Sequence, residues 1–310
     1  MDYGVAAGSG GGLKDWRRRL TTGFDSARKR TRSGQVSDLN GKVAVVTGAS
    51  RGVGRCIAVR LAQQGATVAL LARSEAGLEE TRQQLVARGA RALVVPVDLG
   101  KPESVSQVKG VIERDLGIPS ILVNAAGVFG PIDLIKDSDP GLWIETIMID
   151  TVSAYLTCRA FVGGMIDGGW GRIVNVTSAA ALHEPGPLNS AYGTSKAALN
   201  QFTRHLASEL KGTGVTANVI HPGDVKTDMW ADIKARSKRL GSVADAFVKW
   251  VNWVEETGGD DPEKAAELVL DLMSNDAADT NGRFLWIKDG LQNPIPSWGE
   301  PSGELQPWRK

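Results

Sequence analysis

Cysteine and histidine are scarce in this chain, and long apolar runs are absent. The 310 residues include two cysteines, Cys56 and Cys158, and three scattered histidines, so neither a disulfide framework nor a structural zinc site is expected. No apolar stretch approaches the roughly 20 residues that a membrane span needs. The 36 basic and 35 acidic side chains nearly cancel, which argues against nucleic-acid binding through a general positive field. We therefore expect a cytoplasmic protein in a reducing compartment, without a transmembrane segment.

The two ends of the chain differ from its middle. Residues 1–40 carry eight basic and four acidic side chains, a glycine cluster and few large apolar residues, which predicts a basic, mostly disordered extension. A short basic helix that binds a membrane surface or a partner, or that serves in organelle targeting, is the alternative for this segment. The prolines and tryptophans of residues 291–310 predict an extended tail. One domain, residues 41–290, remains between them.

Within that domain, short apolar runs alternate with segments of helical period. Strands are predicted at 43–47, 67–72, 92–97, 121–123, 172–176, 215–220 and 284–287, and helices at 53–64, 75–88, 102–116, 141–166, 191–210 and 262–273. Strands regularly spaced between helices predict βαβ crossovers. The sequence therefore predicts an α/β domain with a parallel sheet that is covered on both faces.

A glycine-rich turn separates the first predicted strand from the first helix. It reads Thr47, Gly48, Ala49, Ser50, Arg51, Gly52, Val53, Gly54. Gly48 permits a tight turn, Gly52 permits a pyrophosphate to approach the backbone, and Gly54 permits close packing of helix on strand. A bare strand-to-helix turn is the alternative, but the strand before and the helix after favour a dinucleotide site.

The residue at the end of the second strand bears on which dinucleotide binds. A site selective for NAD places a carboxylate there, which accepts a hydrogen bond from a ribose hydroxyl. This strand instead ends in Arg73, and Arg51 lies in the glycine turn. Two guanidinium groups near one ribose suit a 2′-phosphate, and solvated surface arginines are the alternative. The pattern favours NADP(H) over NAD(H).

A second chemical pattern is Tyr192 followed by Lys196 on a predicted helix. This spacing puts both side chains on one helix face, where the ammonium favours the phenolate and is expected to lower the pKa of Tyr192. Tyr192 is then a candidate general acid and base near neutral pH. Ser178 ends the fifth strand, at the edge of the sheet where ligands of parallel α/β folds bind. A half-buried tyrosine with a surface lysine is the alternative.

At residues 41–290 the chain resembles the short-chain dehydrogenase/reductase family, in its compact single-domain branch. The resemblance rests on several motifs in the right order. They are the Thr47–Gly54 turn, Asp98 and Leu99, Asn124, Ala125, Ala126 and Gly127, Ser178, Tyr192 with Lys196, and Pro222 and Gly223 with Val225 and Thr227. The resemblance implies a three-layer, Rossmann-like, doubly wound parallel sheet of about seven strands and an enzyme that acts on CH–OH and C=O groups.

The resemblance also implies how a cofactor would be held. Asp98 and Leu99 would contact its adenine. Residues 124–127 would line the cofactor and steady the sheet. Val225 and Thr227 would meet the nicotinamide amide.

The same resemblance implies catalytic roles and an assembly. Lys196 would bind the nicotinamide ribose, Tyr192 would transfer the proton, and Ser178 would polarise the carbonyl. The helices near 141–166 and 191–210 usually form a subunit interface in this family. We therefore expect a homodimer or a homotetramer.

One position departs from the family pattern. The family usually has an asparagine where this chain, aligned on Trp143, has Asp150. The family role is largely that of a main-chain carbonyl that holds a water in a relay to Lys196, and an aspartate preserves this role. An added carboxylate beside Lys196 would also alter proton delivery. Asp150 is therefore a catalytic candidate, and it is the one feature that favours a catalytically weak NADP-binding sensor or scaffold of the same fold.

Together these residues predict NADP(H)-dependent hydride transfer between a small ketone or aldehyde and the corresponding alcohol. Residues 227–261 correspond to a lid over the substrate in this family. Aromatic residues in the lid favour an apolar or ring-containing substrate, and packing of the lid onto the body or another subunit is the equal alternative. His183 is predicted near the rim of the site, as a loop histidine without a substrate contact.

Overall fold

The structure, a computed structural model, describes residues 38–182 and 186–287. Nearly all of the basic extension over 1–40, the tail over 291–310 and His183 lie outside the described residues. The predictions made for those segments therefore stay predictions.

One sheet of seven parallel strands forms the centre of the described chain. The strands are Val43–Thr47 (β1), Thr67–Ala72 (β2), Ala92–Pro96 (β3), Ile121–Asn124 (β4), Gly171–Val176 (β5), Val215–His221 (β6) and Phe284–Trp286 (β7). Their order in the sheet is β3-β2-β1-β4-β5-β6-β7, and every pairing is parallel. The order reverses between β1 and β4, which is the switch point where doubly wound folds bind ligands. The predicted Rossmann-like sheet is confirmed.

Helices cover both faces of the sheet. They are Gly52–Gln63 (α1), Glu75–Val86 (α2), Pro102–Leu116 (α3), Pro140–Ile147 (α4), Ser153–Asp167 (α5), Ser190–Glu209 (α6), Asp228–Ser237 (α7), Asp245–Thr257 (α8) and Pro262–Met273 (α9). Apolar side chains of α1, α2 and α9 pack on one face, and those of α3, α5 and α6 pack on the other. The sheet is thus the middle of three layers.

Local sequence explains why several elements begin where they do. All five residues of β1 are buried, as expected for a strand covered on both faces. Asp261 caps α9 by accepting from the N–H of Glu263 at 3.0 Å, and Pro262 occupies the first turn. Thr227 caps α7 by accepting from the N–H of Trp230.

The predicted long helix at 141–166 has an internal irregularity. Met148–Val152 forms a π-helical turn between α4 and α5. Asp150, on this turn, accepts from the N–H of Val128 at 2.8 Å. A π-helical turn shifts the side chains that it carries, and such turns often occur at functional sites. Hydrophobic periodicity alone does not reveal such a turn.

Residues 227–261, between β6 and α9, contain α7 and α8, and we call these residues the lid. Its inner side chains, among them Trp230, Ile233, Val251 and Val254, form a third apolar cluster with Phe129 of the body. No helix within residues 38–182 and 186–287 combines the length and apolarity needed to cross a bilayer.

Candidate active site

A cleft of about 1780 Å³ opens at the switch point, beyond the carboxyl ends of the central strands. Small-molecule sites usually enclose roughly 300–1,000 Å³, so the cleft has room for a dinucleotide and a substrate together. Most of the predicted site residues line it. They are Gly48, Ser50, Arg51, Gly52, Val53, Gly54, Arg73, Asp98, Leu99, Ala125, Ala126, Gly127, Ser178, Tyr192, Lys196, Pro222, Gly223, Val225 and Thr227. Two others, Asn124 and Asp150, lie behind the cleft wall.

Each of the three glycines of the turn is required for a different structural reason. Gly48 has φ +65°, and a Cβ there would lie 2.7 Å from the carbonyl oxygen of Ala125. A Cβ at Gly54 would overlap the main chain of Gly48. Gly52 has φ +55°, and a Cβ there would point across the cleft at the Thr227 methyl group, 3.5 Å away. Substitution of Gly48 or Gly54 would therefore disturb the fold, whereas a side chain at Gly52 would enter the cleft.

The amino end of α1 fits an anion. The side chain of its cap residue, Arg51, does not bond the N–H groups of the first turn, and this turn has no acidic residue. The free main-chain N–H groups and the positive end of the helix dipole thus lie beside the glycine turn, where they would hold a pyrophosphate.

Two arginines line the cleft near this helix end. Arg73 is exposed at the end of β2. The guanidinium of Arg51 pairs with Asp228, the first residue of α7, at 2.8 Å, and both side chains are about two-thirds exposed. An exposed pair of this kind contributes about 0–1 kcal/mol, so a phosphate can displace Asp228 from Arg51.

Polar side chains fix the loop that follows β4. The hydroxyl of Thr47 accepts from the N–H groups of Ala125 and Ala126, each at 3.1 Å. Asn124 donates to the Asn175 side chain at 2.8 Å, which links β4 to β5. A Cβ at Gly127 would lie 3.3 Å from both the Lys196 ammonium and the Asp150 carboxylate. The loop is thus rigidly placed, and its last glycine allows those two side chains to meet.

Ser178, Tyr192 and Lys196 lie together in the cleft. Ser178 follows β5, and the other two residues are one turn apart on α6. The Ser178 side chain lowers the pKa of the Tyr192 phenol, and the Lys196 Nζ lies 5.5 Å from the centre of the Tyr192 ring. This Nζ also donates to the carbonyl of Val176 at 3.3 Å. Because Lys196 is only 4% exposed, the alternative of a surface lysine does not hold.

Burial dominates the ionisation of Tyr192. Loss of solvent disfavours the phenolate and raises the pKa of Tyr192 above its ordinary value. The Lys196 ammonium lowers the pKa, as predicted, but the carboxylates of Asp150 and Asp224 raise it further. The prediction of a net lowering is therefore wrong for the chain itself, because burial outweighs the ammonium. Ser178 and Lys196 are the described groups that favour the phenolate.

Asp150 is buried among three hydrogen-bond donors. One carboxylate oxygen accepts from the N–H of Val128 at 2.8 Å. The other accepts from the Ser195 hydroxyl at 2.9 Å and lies 3.5 Å from the Lys196 Nζ. Burial nevertheless raises the pKa of Asp150. The Asp150 carboxylate thus contacts Lys196, Ser195 and the main chain, and it does not itself line the cleft.

The loop after β6 forms the opposite wall. Gly223 has φ +87°, and a Cβ there would lie 2.8 Å from the Asp260 carboxylate. Pro222, Val225 and Thr227 also line this wall. At the far end of the cleft, Asp98 accepts from the N–H of Gly100 at 3.1 Å.

Sequence reasoning missed three residues of the cleft. His221 ends β6, and its Nδ1 accepts from the N–H of Ala179, next to Ser178, at 3.3 Å. Asp224 lines the cleft and accepts from the Trp250 indole N–H at 3.1 Å. Phe129 stacks on Tyr192 with ring centres 4.6 Å apart. His221 and Asp224 flank the Pro222–Gly223 motif at the carboxyl end of β6. This position was the signal from which their place in the cleft could have been predicted.

The lid aromatics fit both predicted alternatives. Trp230, Phe247 and Trp250 all line the cleft, and all three pack in the apolar cluster that contains Phe129. Trp230 is buried, whereas Phe247 and Trp250 are half-buried. Within the described ranges, no group of three histidine, cysteine, aspartate or glutamate side chains is placed to hold a metal ion.

Comparisons with known proteins agree with this architecture. A family model of short chain dehydrogenases matches residues 42–238. The 3-oxoacyl-(acyl-carrier-protein) reductase FabG of Pseudomonas aeruginosa is 37% identical over 256 residues, which cover 82% of this chain and 98% of the relative.

Two solved structures are similar over most of this chain. An NAD+-bound xylitol dehydrogenase has a TM-score of 0.74 and 28% identity, covering 80% of this chain and 98% of that one. An actinorhodin polyketide ketoreductase with NADPH has a TM-score of 0.72 and 29% identity, covering 79% and 95%. The relatives carry the names of dehydrogenases and reductases that act on alcohol or carbonyl groups. The chain therefore belongs to the short-chain dehydrogenase/reductase family of nicotinamide-dependent oxidoreductases.

Proposed function

We propose that this enzyme is an NADP(H)-dependent carbonyl reductase or alcohol dehydrogenase acting on a small ketone, aldehyde or alcohol. One observation carries the proposal. The phenol of Tyr192, the hydroxyl of Ser178 and the ammonium of Lys196 meet in the same cleft as the glycine turn. A proton donor, an oxygen-polarising donor and a cation beside a dinucleotide site are what carbonyl reduction requires.

Each side chain has a defined part in the reaction. When bound, NADPH supplies the hydride that adds to the carbonyl carbon. Tyr192 gives its proton to the developing alkoxide, and Ser178 donates a hydrogen bond to the same oxygen, a contribution of about 3–4 kcal/mol to the barrier in comparable sites. Lys196 offsets the cost of the phenolate that remains. The products are the alcohol and NADP+, and oxidation reverses each step.

The preference for NADP(H) rests on Arg51 and Arg73, together with the absence of a carboxylate at the end of β2. Each guanidinium would bind the 2′-phosphate by charge-assisted hydrogen bonds, and each such bond contributes about 1.5–3 kcal/mol. Asp98, Leu99 and the main chain of 124–127 would hold the rest of the cofactor.

Titration of the protein with NADPH and NADH tests this preference. Arg51→Ala and Arg73→Ala should each raise the Kd for NADPH roughly tenfold or more and leave the Kd for NADH within about twofold. Arg88→Ala, an exposed arginine just after α2, is the matched control. Equal losses for both cofactors would assign the two arginines no part in the choice between them.

A sensor or scaffold protein that binds NADP without turnover is the second candidate. It is favoured by the buried Asp150 carboxylate, which raises the pKa of Tyr192. Oxidation of NADPH in the presence of ketones, aldehydes and acyl thioesters separates the two functions. Turnover with any member of the panel supports the reductase, and NADPH binding without turnover supports the sensor.

Assembly as a homodimer or homotetramer in the cytoplasm is also part of the proposal. Leu142 and Ile144 of α4 and Tyr155 of α5 are about half exposed, on the helices expected to form the subunit interface. Neighbouring apolar side chains of this kind mark interaction surfaces. Both cysteines carry free thiols, in keeping with a reducing compartment. Sedimentation of the wild-type chain and of Ile144→Glu tests the assembly, because the charged variant should dissociate.

A further inference from the structure

A continuous set of aromatic rings extends from the catalytic tyrosine to the lid. Phe129 stacks on Tyr192, with ring centres 4.6 Å apart and planes at 30°. Phe247 of α8 meets Phe129 edge to face, with ring centres 5.8 Å apart. Trp250, one turn further along α8, belongs to the same cluster and also lines the cleft. We call Phe129, Phe247 and Trp250 the aromatic wall.

Two members of the aromatic wall are more exposed than residues of a packed core. Phe247 and Trp250 are half-buried, whereas Phe129 and Trp230 are buried, and all four line the cleft. Four apolar residues of the lid also line it, namely Met229, Ile233, Val243 and Ala246. Apolar walls beside a few fixed polar groups are typical of sites for flat apolar ligands, and aromatic rings prefer stacked or edge-to-face neighbours.

Asp224 brings a negative charge to this part of the cleft, which Lys226 and Asp260 also line. Its carboxylate accepts from the Trp250 indole N–H at 3.1 Å, and its main-chain N–H donates to Asp260 at 3.0 Å. These bonds fix the carboxylate between the β6 loop and the lid. Its charge reaches the reacting centre, since it raises the pKa of Tyr192.

The cations nearest to this region are already paired. Lys226 lies 3.2 Å from Glu255, and Lys234 pairs with the same carboxylate. Both ammonium groups lie 5.0 Å from the ring centre of Trp230. Lys196 is paired with Asp150. Lys226 and Lys234 share the one Glu255 carboxylate and so keep a net positive charge, but none of the ion pairs within the described residues involves Asp224, so no direct partner neutralises its charge.

We propose that the aromatic wall and the carboxylate of Asp224 select a neutral carbonyl substrate that carries a flat ring, and reject substrates with a carboxylate next to the carbonyl. The inference rests on the proposed function, because it places the substrate carbonyl at Tyr192 and Ser178. The ring of the substrate lies against Phe247 and Trp250. A carboxylate attached to the substrate carbonyl is repelled by Asp224, because like charges placed together in a binding site cost free energy.

Three matched ketones separate the effects of ring and charge. Methyl phenylglyoxylate has a ring and no charge, phenylglyoxylate has the ring and a carboxylate, and methyl 2-oxooctanoate has neither ring nor charge. We expect the kcat/KM of the wild-type enzyme with NADPH to be at least about tenfold higher for the first than for either of the others.

Variants assign each preference to its residue. Asp224→Asn should reduce the discrimination against phenylglyoxylate to about threefold or less, because it removes the repelling charge. Phe247→Leu should reduce the preference for methyl phenylglyoxylate over methyl 2-oxooctanoate, because leucine keeps the apolar volume of the side chain but not its aromatic ring. Trp253→Leu is the matched control, since Trp253 is 42% exposed on the same helix and does not line the cleft. It should leave both ratios unchanged.

A binding measurement gives a readout independent of turnover. Methyl mandelate and mandelate, the corresponding alcohols, cannot react in the presence of NADPH, so calorimetry reports their Kd directly. In the wild-type chain the ester should bind at least about tenfold more tightly than the acid, whereas in Asp224→Asn the two Kd values should be within about threefold of each other. Equal binding of the two alcohols by the wild-type chain, or an unchanged ratio in Asp224→Asn, would overturn the assignment of Asp224.

The outcomes also distinguish this inference from the proposed function. Turnover of methyl 2-oxooctanoate as fast as that of methyl phenylglyoxylate overturns the ring selection and leaves the reductase function standing. If no ketone or aldehyde is reduced although methyl mandelate binds with the expected preference, the pocket assignment is supported and the reductase function fails.

Discussion

Replacement of Asp150 by alanine tests how the buried carboxylate holds the site together. The carboxyl group accepts from Val128 at 2.8 Å and from Ser195 at 2.9 Å, and it lies 3.5 Å from the Lys196 ammonium. Its own side chain has no exposed surface, and that of Lys196 is 5% exposed. Removal of one member of a buried ion pair leaves the other charge unpaired, at a cost of about 3–5 kcal/mol. We expect Asp150→Ala to lower the free energy of unfolding by that amount.

Two further variants separate the contributions to this loss. Asp150→Asn keeps an acceptor for the Val128 N–H, and an unsatisfied buried donor costs about 1–3 kcal/mol. Asp150→Asn should therefore lose about 1–3 kcal/mol less stability than Asp150→Ala. Asp232→Ala is the matched control, because Asp232 pairs with Arg236 at 3.0 Å on the exposed side of α7 and such pairs contribute about 0–1 kcal/mol.

Urea unfolding, followed by tryptophan fluorescence, gives the free energies of the wild-type chain and the three variants. Equal denaturant slopes would show that the variants differ in stability alone. If Asp150→Ala loses no more stability than Asp232→Ala, the buried pair does not hold the site in the way argued.

The remaining predictions concern pH and the glycines. In alcohol oxidation the phenolate of Tyr192 is the base, so kcat rises as pH passes the pKa of this group. Asp150 raises that pKa, and Asp150→Asn should therefore move the rise to lower pH; a rise that is unmoved or higher in a pH–rate profile would contradict the sign. Gly48→Ala should destabilise the chain by more than the roughly 1–2 kcal/mol of a left-handed backbone alone, because its Cβ would meet Ala125 at 2.7 Å. Gly110→Ala, in an open position on α3, should instead stabilise it by about 0.5–1 kcal/mol. Thermal unfolding of both variants checks the opposite signs.

Elements with strong local signals could be predicted closely from the sequence. The bounds of β1, α3 and α9 match the predicted residues, because an apolar run, Pro102 and the Asp261–Pro262 pair mark these ends directly. The alternation of strands and helices also sufficed for the parallel sheet. The convergence of Ser178, Tyr192 and Lys196 followed from strand ends and helix spacing.

Features that join distant segments could not be predicted in the same way. The π-helical turn at Met148–Val152 brings Asp150 to Val128 and Ser195, and no local pattern specifies those contacts. The net pKa direction of Tyr192 depends on burial under Phe129 and the lid, which outweighs the cation that the sequence did indicate. Likewise, tertiary structure decides that the lid aromatics both pack on Phe129 and line the cleft.

Removal of a single oxygen atom tests the central claim most directly. Tyr192→Phe keeps the ring that stacks on Phe129 and deletes the proton donor. With a ketone turned over by the wild-type enzyme, we expect kcat to fall by a factor of roughly 10²–10⁴, the usual contribution of a general acid. The Kd for NADPH, measured by fluorescence titration, should stay within about twofold. Turnover close to that of the wild-type enzyme would contradict the account, because protonation would then not depend on Tyr192.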